Sequence, residues 1–386
     1  MNLHLFNPEN DLALGLNLEN YTAPPAASAL ARSGSTLPMW YGEKGDVFAS
    51  EGVNAAWLRS MLDAFGPGVS PWDHNPADLR PKPWGWSKAA RRSFRMMGFD
   101  AEKLPDDASL ARIRELSSRE SACRIGAQLA HEGLQPEEWA AQRVNNTEEA
   151  LRYSREHGDV LLKLPWSSSG RGQIRICGMQ DFAMREQGVA GAIRRYGFLT
   201  AEPFHRNKAV DLAHLFEAKA GRVSYAGLSL FATEANGDYA GNALAQESQL
   251  RAMLENRFQG VCAKLDDIAE AQRRILETMI GTDYEGPMGV DMMILSDGSI
   301  AGSVELNLRM TMGHVARRFH DRYCAEGACG IFRLENNATG RHYSAGHSGG
   351  RLTGGTLRLN PPEYGIAFVA EIKGEEPSGA QGFQFV

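Results

Sequence analysis

Two apolar runs near residue 300 carry the clearest pattern in the chain. Residues 290–295 and 300–308 are β-rich, and Ser296-Asp297-Gly298-Ser299 joins them with an Asp-Gly step that predicts a hairpin. Asp291 lies in the first run. Glu305, Asn307 and Arg309 recur at period 2 along the second, so their side chains leave one face. A two-residue Asp297-Gly298 turn would set Asp291 opposite Val304 and send Glu305 to the other face. A shared face requires an odd connection, either a three-residue 297–299 loop or a bulge further down.

Upstream, residues 2–6 alternate toward a short strand, which Asn7-Pro8-Glu9-Asn10 ends with turn formers. Residues 12–18 are apolar around Gly15, the 21–25 loop carries two prolines, and 26–32 reads as a short helix. A strand followed by a polar loop suits a small α/β domain with its functional loop at the strand's carboxyl end. Asn7, Glu9, Asn10 and Asp11 are candidates to line that loop. Pro, Gly and Trp crowd residues 67–86, predicting a boundary of irregular backbone.

Ser87 is a predicted N-cap for a helix over 88–97, closed by Gly98. One long helix is predicted from Asp106 or Asp107 to about His131, on the apolar positions Leu110, Ile113, Leu116, Ile125 and Leu129. Residues 159–164 form an apolar strand interrupted by Lys163, and Gln173–Cys177 forms a return strand. Strands at 198–204, 210–217 and 222–231 follow, and an amphipathic helix over 265–280 leads into the hairpin. A helix over 315–323 and β-like runs at 356–359 and 365–372 complete the pattern.

Composition narrows the partners. The chain has 386 residues, enough for two or three domains, with 43% hydrophobic and 23% charged residues, as in ordinary globular proteins. No apolar run approaches the ~18–20 residues needed to span a bilayer, so no membrane partner is expected. A net charge of −6 leaves no footprint for nucleic acid. The cysteines Cys123, Cys177, Cys262, Cys324 and Cys329 are scattered and odd in number, which predicts reduced thiols in the cytoplasm. The N-terminal residues show neither a basic leader nor a signal-peptide core, in line with a cytoplasmic expectation.

The chemistry sits in two places. The hairpin face presents a carboxylate, an amide oxygen and a guanidinium in a row, and oxygen ligands from one or two carboxylates, completed by phosphates, are how proteins hold Mg²⁺ on a nucleotide. Between the strands around Lys163 and Gln173, Ser167-Ser168-Ser169-Gly170-Arg171-Gly172 lets backbone N–H groups approach phosphate oxygens closely. Lys163 and Arg171 add positive charge there. No Gly-Lys-Ser/Thr opens a helix after this loop, which disfavours a Walker-type NTPase. A lysine inside an apolar strand needs a partner if it is buried.

In their order along the chain, these pieces resemble the ATP-grasp superfamily of carboxylate–amine and carboxylate–thiol ligases. The likeness covers roughly residues 85–325. It implies an α+β chain: an ATP-grasp fold of two α/β subdomains with nucleotide between them, preceded by a small Rossmann-like α/β domain. The implied division is 1–85 for the N-terminal domain and 86–330 for the ATP-grasp domain, with a lid subdomain at about 158–204. Residues 331–386 would be a C-terminal extension packed on the ATP-grasp domain.

The resemblance also implies roles. Lys88 would lead the helix whose lysine reaches the nucleotide phosphates. Lys163 and the lid residues Ser167, Ser168, Ser169, Gly170, Arg171 and Gly172 would cover them. Glu202 and Phe204 would form the hinge beside the adenine. Pro203 cannot donate a hydrogen bond, so the adenine acceptor must be met from Phe204 or His205. Asp211 would bind the ribose. Asp291, Glu305 and Asn307 would hold one or two Mg²⁺, and Arg309, with Lys163 and Arg171, would serve catalysis by clamping the carboxylate or acyl phosphate.

The implied activity is an ATP-dependent ligase that activates a substrate carboxylate as an acyl phosphate and joins it to an amine or other nucleophile, releasing ADP and phosphate. The alternatives are an ATP-grasp phosphotransferase that forms no amide and a non-catalytic nucleotide-binding regulatory protein. The expected partners are a small-molecule carboxylate and amine, with a homodimer left open.

Overall fold

A computed structural model describes residues 1–73, 75–167, 172–234 and 239–374. The N-terminal strand Asn2–Leu5 pairs in parallel with Val47–Phe48 on one side and Arg80–Pro83 on the other, and Ser70–Pro71 completes a four-stranded sheet. The crowd of prolines at 67–86 therefore includes two strands. Pro71, Pro81 and Pro83 are tolerated because both strands lie at sheet edges, where a missing N–H breaks no internal ladder. The Ser87 hydroxyl accepts from the Ala90 N–H at 3.2 Å and caps the helix Lys88–Met96. Phe94 of that helix, with Phe99 and Leu104 beyond it, shares one buried cluster with Leu3, Ala49 and Leu79. This helix thus belongs with the first sheet.

The helix expected to run unbroken to His131 is two helices, Asp107–Leu116 and Glu120–His131. The Ser117 hydroxyl donates back to the Ile113 carbonyl at 2.7 Å, and the Arg119 N–H leaves the helical ladder for the Pro165 carbonyl at 3.0 Å. Serine side chains that compete with the backbone weaken a helix at that point. The apolar periodicity runs through the break, which is why sequence alone did not show it.

A four-stranded antiparallel sheet follows, in the order Gln142–Val144, Leu199–Pro203, Asp159–Lys163, Gln173–Cys177. One face buries Val160, Leu162, Ile176, Leu199 and Ala201 in a cluster with Ala150, Phe182 and Val189 of the helices Thr147–His157 and Gly178–Tyr196. Alternation then puts Lys163, Thr200 and Glu202 on the opposite face.

The largest sheet has nine strands, ordered Ile300–Asn307, Gly286–Leu295, Lys208–Lys219, Arg222–Thr233, Tyr239–Leu244, Cys329–Glu335, Ala367–Gly374, Arg351–Arg358, Ala345–Ser348. Leu212, Phe216, Leu228, Leu230, Val290, Met292 and Leu306 pack on one face with Leu265, Ile268 and Leu276 of the helix Val261–Ile280. The four C-terminal strands extend this sheet and also close on the N-terminal domain. There Trp40 Nε1 donates to the Leu359 carbonyl at 2.7 Å, and Asn360 Nδ2 donates to the Ser33 carbonyl at 2.9 Å.

The hairpin reaches its register by two devices. Leu295 N donates to Ser299 O at 2.8 Å, and Gly298 N donates to Leu295 O at 3.0 Å with Gly298 at φ 81°, so the loop is 296–298, one residue earlier than expected. A bulge then shifts the pairing from Met293↔Ala301 to Asp291↔Glu305.

Candidate active site

That register sets Asp291 directly opposite Glu305, with Asn307 one step along the same face. Asn307 Nδ2 donates to Asp291 Oδ2 at 3.0 Å. Burial, and then the nearby Glu305 charge, raise the Asp291 carboxyl above the usual carboxylate range. Two carboxylates pressed together in a half-dry place are what a cation would relieve.

One resident cation already does part of that work. Arg119, at the break between the two helices, is 4% exposed. Its Nη2 lies 3.1 Å from Glu305 Oε1 and donates to the Ser167 hydroxyl at 3.2 Å. Its Nε and Nη1 are buried with no hydrogen-bond partner among the described residues. The sequence reading missed Arg119. The available signal was the Ser117-Ser118 pair, a place for a helix to restart with a cation in its first turn. Lys88, expected to reach the nucleotide phosphates, is half-buried on a helix of the first sheet, and no ion pair of its ammonium is found among the described residues. Ser168, Ser169, Gly170 and Arg171 lie outside the described residues. The Gly172 carbonyl accepts from Leu164 N at 2.9 Å, and its φ of 73° favours glycine.

On the smaller sheet, Lys163 finds the partner its burial demands. Its ammonium is 2.5 Å from Glu202 Oε1, with side chains 3% and 12% exposed. Cys123, on the helix that Arg119 begins, feels both charges. Burial first, then Glu202 and Glu120, push its thiol up to about 12. That helix therefore lies close to the face carrying Lys163 and Glu202.

The hinge residues divide. Phe204 N–H is engaged by the Asp159 carbonyl at 2.9 Å, which removes it as an adenine donor and leaves His205. The Phe204 ring lies 3.8 Å under the Arg175 guanidinium, and the His205 ring stands edge-on to Trp139 at 5.0 Å. Asp211 accepts from Lys208 at 2.5 Å and from the Thr233 hydroxyl at 2.9 Å. It pairs with Met293, so it shares a sheet face with Asp291.

Arg309 lies where the N-terminal domain meets the large sheet. Its Nε and Nη2 bind the Asp11 carboxylate at 2.6–3.1 Å, and Nη1 donates to the Met310 carbonyl at 3.1 Å. Burial works against the Arg309 charge, but the Asp11 carboxylate outweighs it and holds the guanidinium pKa above its ordinary value. Next to Asp11, Glu9 is raised by burial, and Tyr21 is raised by burial and by the Glu9 charge. Glu9 Oε2 and the Tyr21 hydroxyl are buried with no hydrogen-bond partner among the described residues. The polar N-terminal loop singled out in the sequence thus reaches the hairpin.

No protein-family model and no curated protein matches the chain. Among solved structures, the biotin carboxylase of Campylobacter jejuni, solved as its beta-gamma-ATP complex, superposes with a TM-score of 0.55 at 11% identity, covering 98% of this chain and 88% of that one. N5-carboxyaminoimidazole synthetase from Staphylococcus aureus, complexed with ADP, matches with a TM-score of 0.46 at 11% identity over 77% of this chain and 84% of that one. No helix among the described residues is long and apolar enough to cross a membrane. In its layers, its strand order and its likeness to biotin carboxylase over nearly its whole length, the chain has the ATP-grasp fold.

Proposed function

We propose that this protein is an ATP-dependent ligase that activates a substrate carboxylate as an acyl phosphate and passes the acyl group to an amine or other nucleophile. The observation that carries the reading is Arg119. Among the described residues, a buried guanidinium with two unpartnered nitrogens, Nε and Nη1, joins Ser167, just past the Lys163 strand, to Glu305 of the carboxylate hairpin. Unpaired buried donors are rare and costly, and an anion between these segments would satisfy them.

Bound Mg-ATP would supply the γ-phosphoryl group. Asp291, Glu305 and Asn307 offer hard oxygen donors that fit Mg²⁺. Among the described residues no three His, Cys, Asp or Glu side chains converge, so phosphate oxygens would complete the shell. Arg119 and Lys163 neutralise phosphate charge, Glu202 and His205 border the adenine, and Asp211 is placed for the ribose. Arg309 orients the carboxylate. Such phosphoryl transfer rests on positioning and charge neutralisation more than on a protein nucleophile.

In this reading residues 1–85, with the helix Lys88–Met96 docked on them, form the substrate-side domain. Residues from about 105 to 330 form the nucleotide domain, and 331–374 seal the two together.

The test is ADP release from millimolar Mg-ATP across panels of carboxylates and amines. Carboxylate-dependent release is expected, and Glu305→Gln should abolish it while circular dichroism stays native. Failure to bind Mg-ATP, or full turnover by Glu305→Gln, refutes the assignment.

A further inference from the structure

Arg309 was expected to clamp a substrate anion, yet its fork already holds a carboxylate. Nε donates to Asp11 Oδ1 and Oδ2 at 3.1 and 3.0 Å, Nη2 donates to Oδ2 at 2.6 Å, and the two side chains are 16% and 15% exposed. A guanidinium carries five N–H donors in one plane. These bonds and the Nη1 bond to Met310 O engage Nε–H, one hydrogen of Nη2 and one of Nη1. Among the described residues, one N–H on each terminal nitrogen is left without a partner. Two parallel donors of that kind can seat one carboxylate or phosphate.

Asp11 is itself held in place. It lies in the helix Asn10–Leu16, whose Leu14 carbonyl accepts from Arg114 Nε at 2.7 Å. The turn before the helix is tied down by Asn7 Nδ2, which donates to the Gly85 carbonyl at 2.9 Å. The two segments touch at Gly85, where a Cβ would stand 2.4 Å from Asn10 Nδ2 and 3.1 Å from Arg309 Cβ. Met310 N donates to the Trp84 carbonyl at 2.9 Å on the other side of the contact. Asp11 and Arg309 lie 298 residues apart, and each is fixed by contacts that cross between the two domains.

We propose that Asp11 is a positioning residue that locks the Arg309 guanidinium so that its remaining edge meets the phosphate end of the reacting group. The proposal rests on the ligase reading above. A flexible arginine loses rotamer entropy on binding an anion, and one already locked loses little. Asp11 takes no part in the chemistry itself. It acts only through Arg309.

The products of the proposed reaction include ADP and phosphate whatever the substrates, so inorganic phosphate is a usable probe. Calorimetry first measures Mg-ADP binding, then phosphate binding to the Mg-ADP complex, for the wild type, Asp11→Asn, Asp11→Glu and, as the reference loss, Arg309→Lys. Asp11→Asn should weaken phosphate about tenfold, the scale of one charge-assisted hydrogen bond, with Mg-ADP affinity changed less than about twofold. Asp11→Glu keeps the charge and should lose less. A purely structural role would lower thermal stability without this selective loss.

If Asp11→Asn does not fold, Asp11→Glu carries the test, with a smaller loss in the same direction. Phosphate binding as tight as wild type in the variants, or tighter, overturns the proposal, the latter because Asp11 would then be a competitor for Arg309. A wild-type Mg-ADP complex that takes up no phosphate also overturns it. Absence of Mg-ADP binding in the wild type removes the ligase reading first and this proposal with it.

Discussion

Replacing Arg119 by methionine separates a structural strut from a phosphate-binding cation. At 3.1 Å from Glu305 and an effective dielectric of about 20, the gross attraction is about 5 kcal/mol. Much of it is offset by the desolvation of a guanidinium that is 4% exposed. Breaking a fully buried pair costs about 3–5 kcal/mol, but the Glu305 side chain is 26% exposed, and water screens what remains, bringing the loss to about 2 kcal/mol. Methionine also removes Nε and Nη1, two unpartnered buried donors that each cost about 1 kcal/mol in the nucleotide-free protein.

The two effects are each about 2 kcal/mol, so the expected net change in stability without nucleotide is about zero. Nucleotide binding should suffer more. Two donors that would pair with phosphate are gone, which predicts a loss of about tenfold to a hundredfold in Mg-ADP affinity. Urea unfolding with and without Mg-ADP reads both quantities on one sample. A loss of about 4 kcal/mol or more in the free protein, with Mg-ADP affinity intact, would make Arg119 a strut and refute the reasoning.

Lys163→Met should destabilise by about 3 kcal/mol, because it leaves Glu202 buried and charged, and adding Glu202→Gln should recover most of that loss. Urea denaturation checks this; a double variant as unstable as the sum of the singles would contradict it. His214 is buried at the core, its Nδ1 within 2.7 Å of Gln272 Oε1, and burial lowers its pKa to about 4. The unfolded chain takes up that proton near pH 6.5, so His214 lowers stability as pH falls from about 6.5 to about 4, by about 3 kcal/mol in total. His214→Gln should flatten that part of the urea-stability profile, and an unchanged slope would show that other groups carry it.

The local elements were largely legible in the chain because their causes are local. An apolar run marked the strand at 159–164 and the small-residue loop after it marked the return strand 173–177, Ser87 marked its cap, and Asp297-Gly298 marked the hairpin. The metal-binding reading required Asp291 and Glu305 to share a face, and the period of a strand then made an odd connection necessary. Which device supplied it did not follow. A loop over 296–298 and a bulge past Met293 both change the backbone without changing the apolar pattern, so the pattern cannot choose between them.

Tertiary structure decided what depends on residues far apart in sequence. A lysine in a first turn looks alike at Lys88 wherever its helix docks, and packing of Phe94 against Leu3 and Leu79 set that helix on the first sheet. Arg119 had no periodic signature, and its role came from Ser167 and Glu305, brought to it from 48 positions away and from the hairpin. Phe204 lost its expected donor to Asp159 through sheet pairing. Asp11 and Arg309, 298 residues apart, meet only because the N-terminal domain closes on the large sheet. Sequence alone determined which side chains stand on which face of each element, since periodicity is a property of the backbone. Only the folded chain determined which charges face one another, since an ion pair is made by distance and burial, and neither is written in spacing.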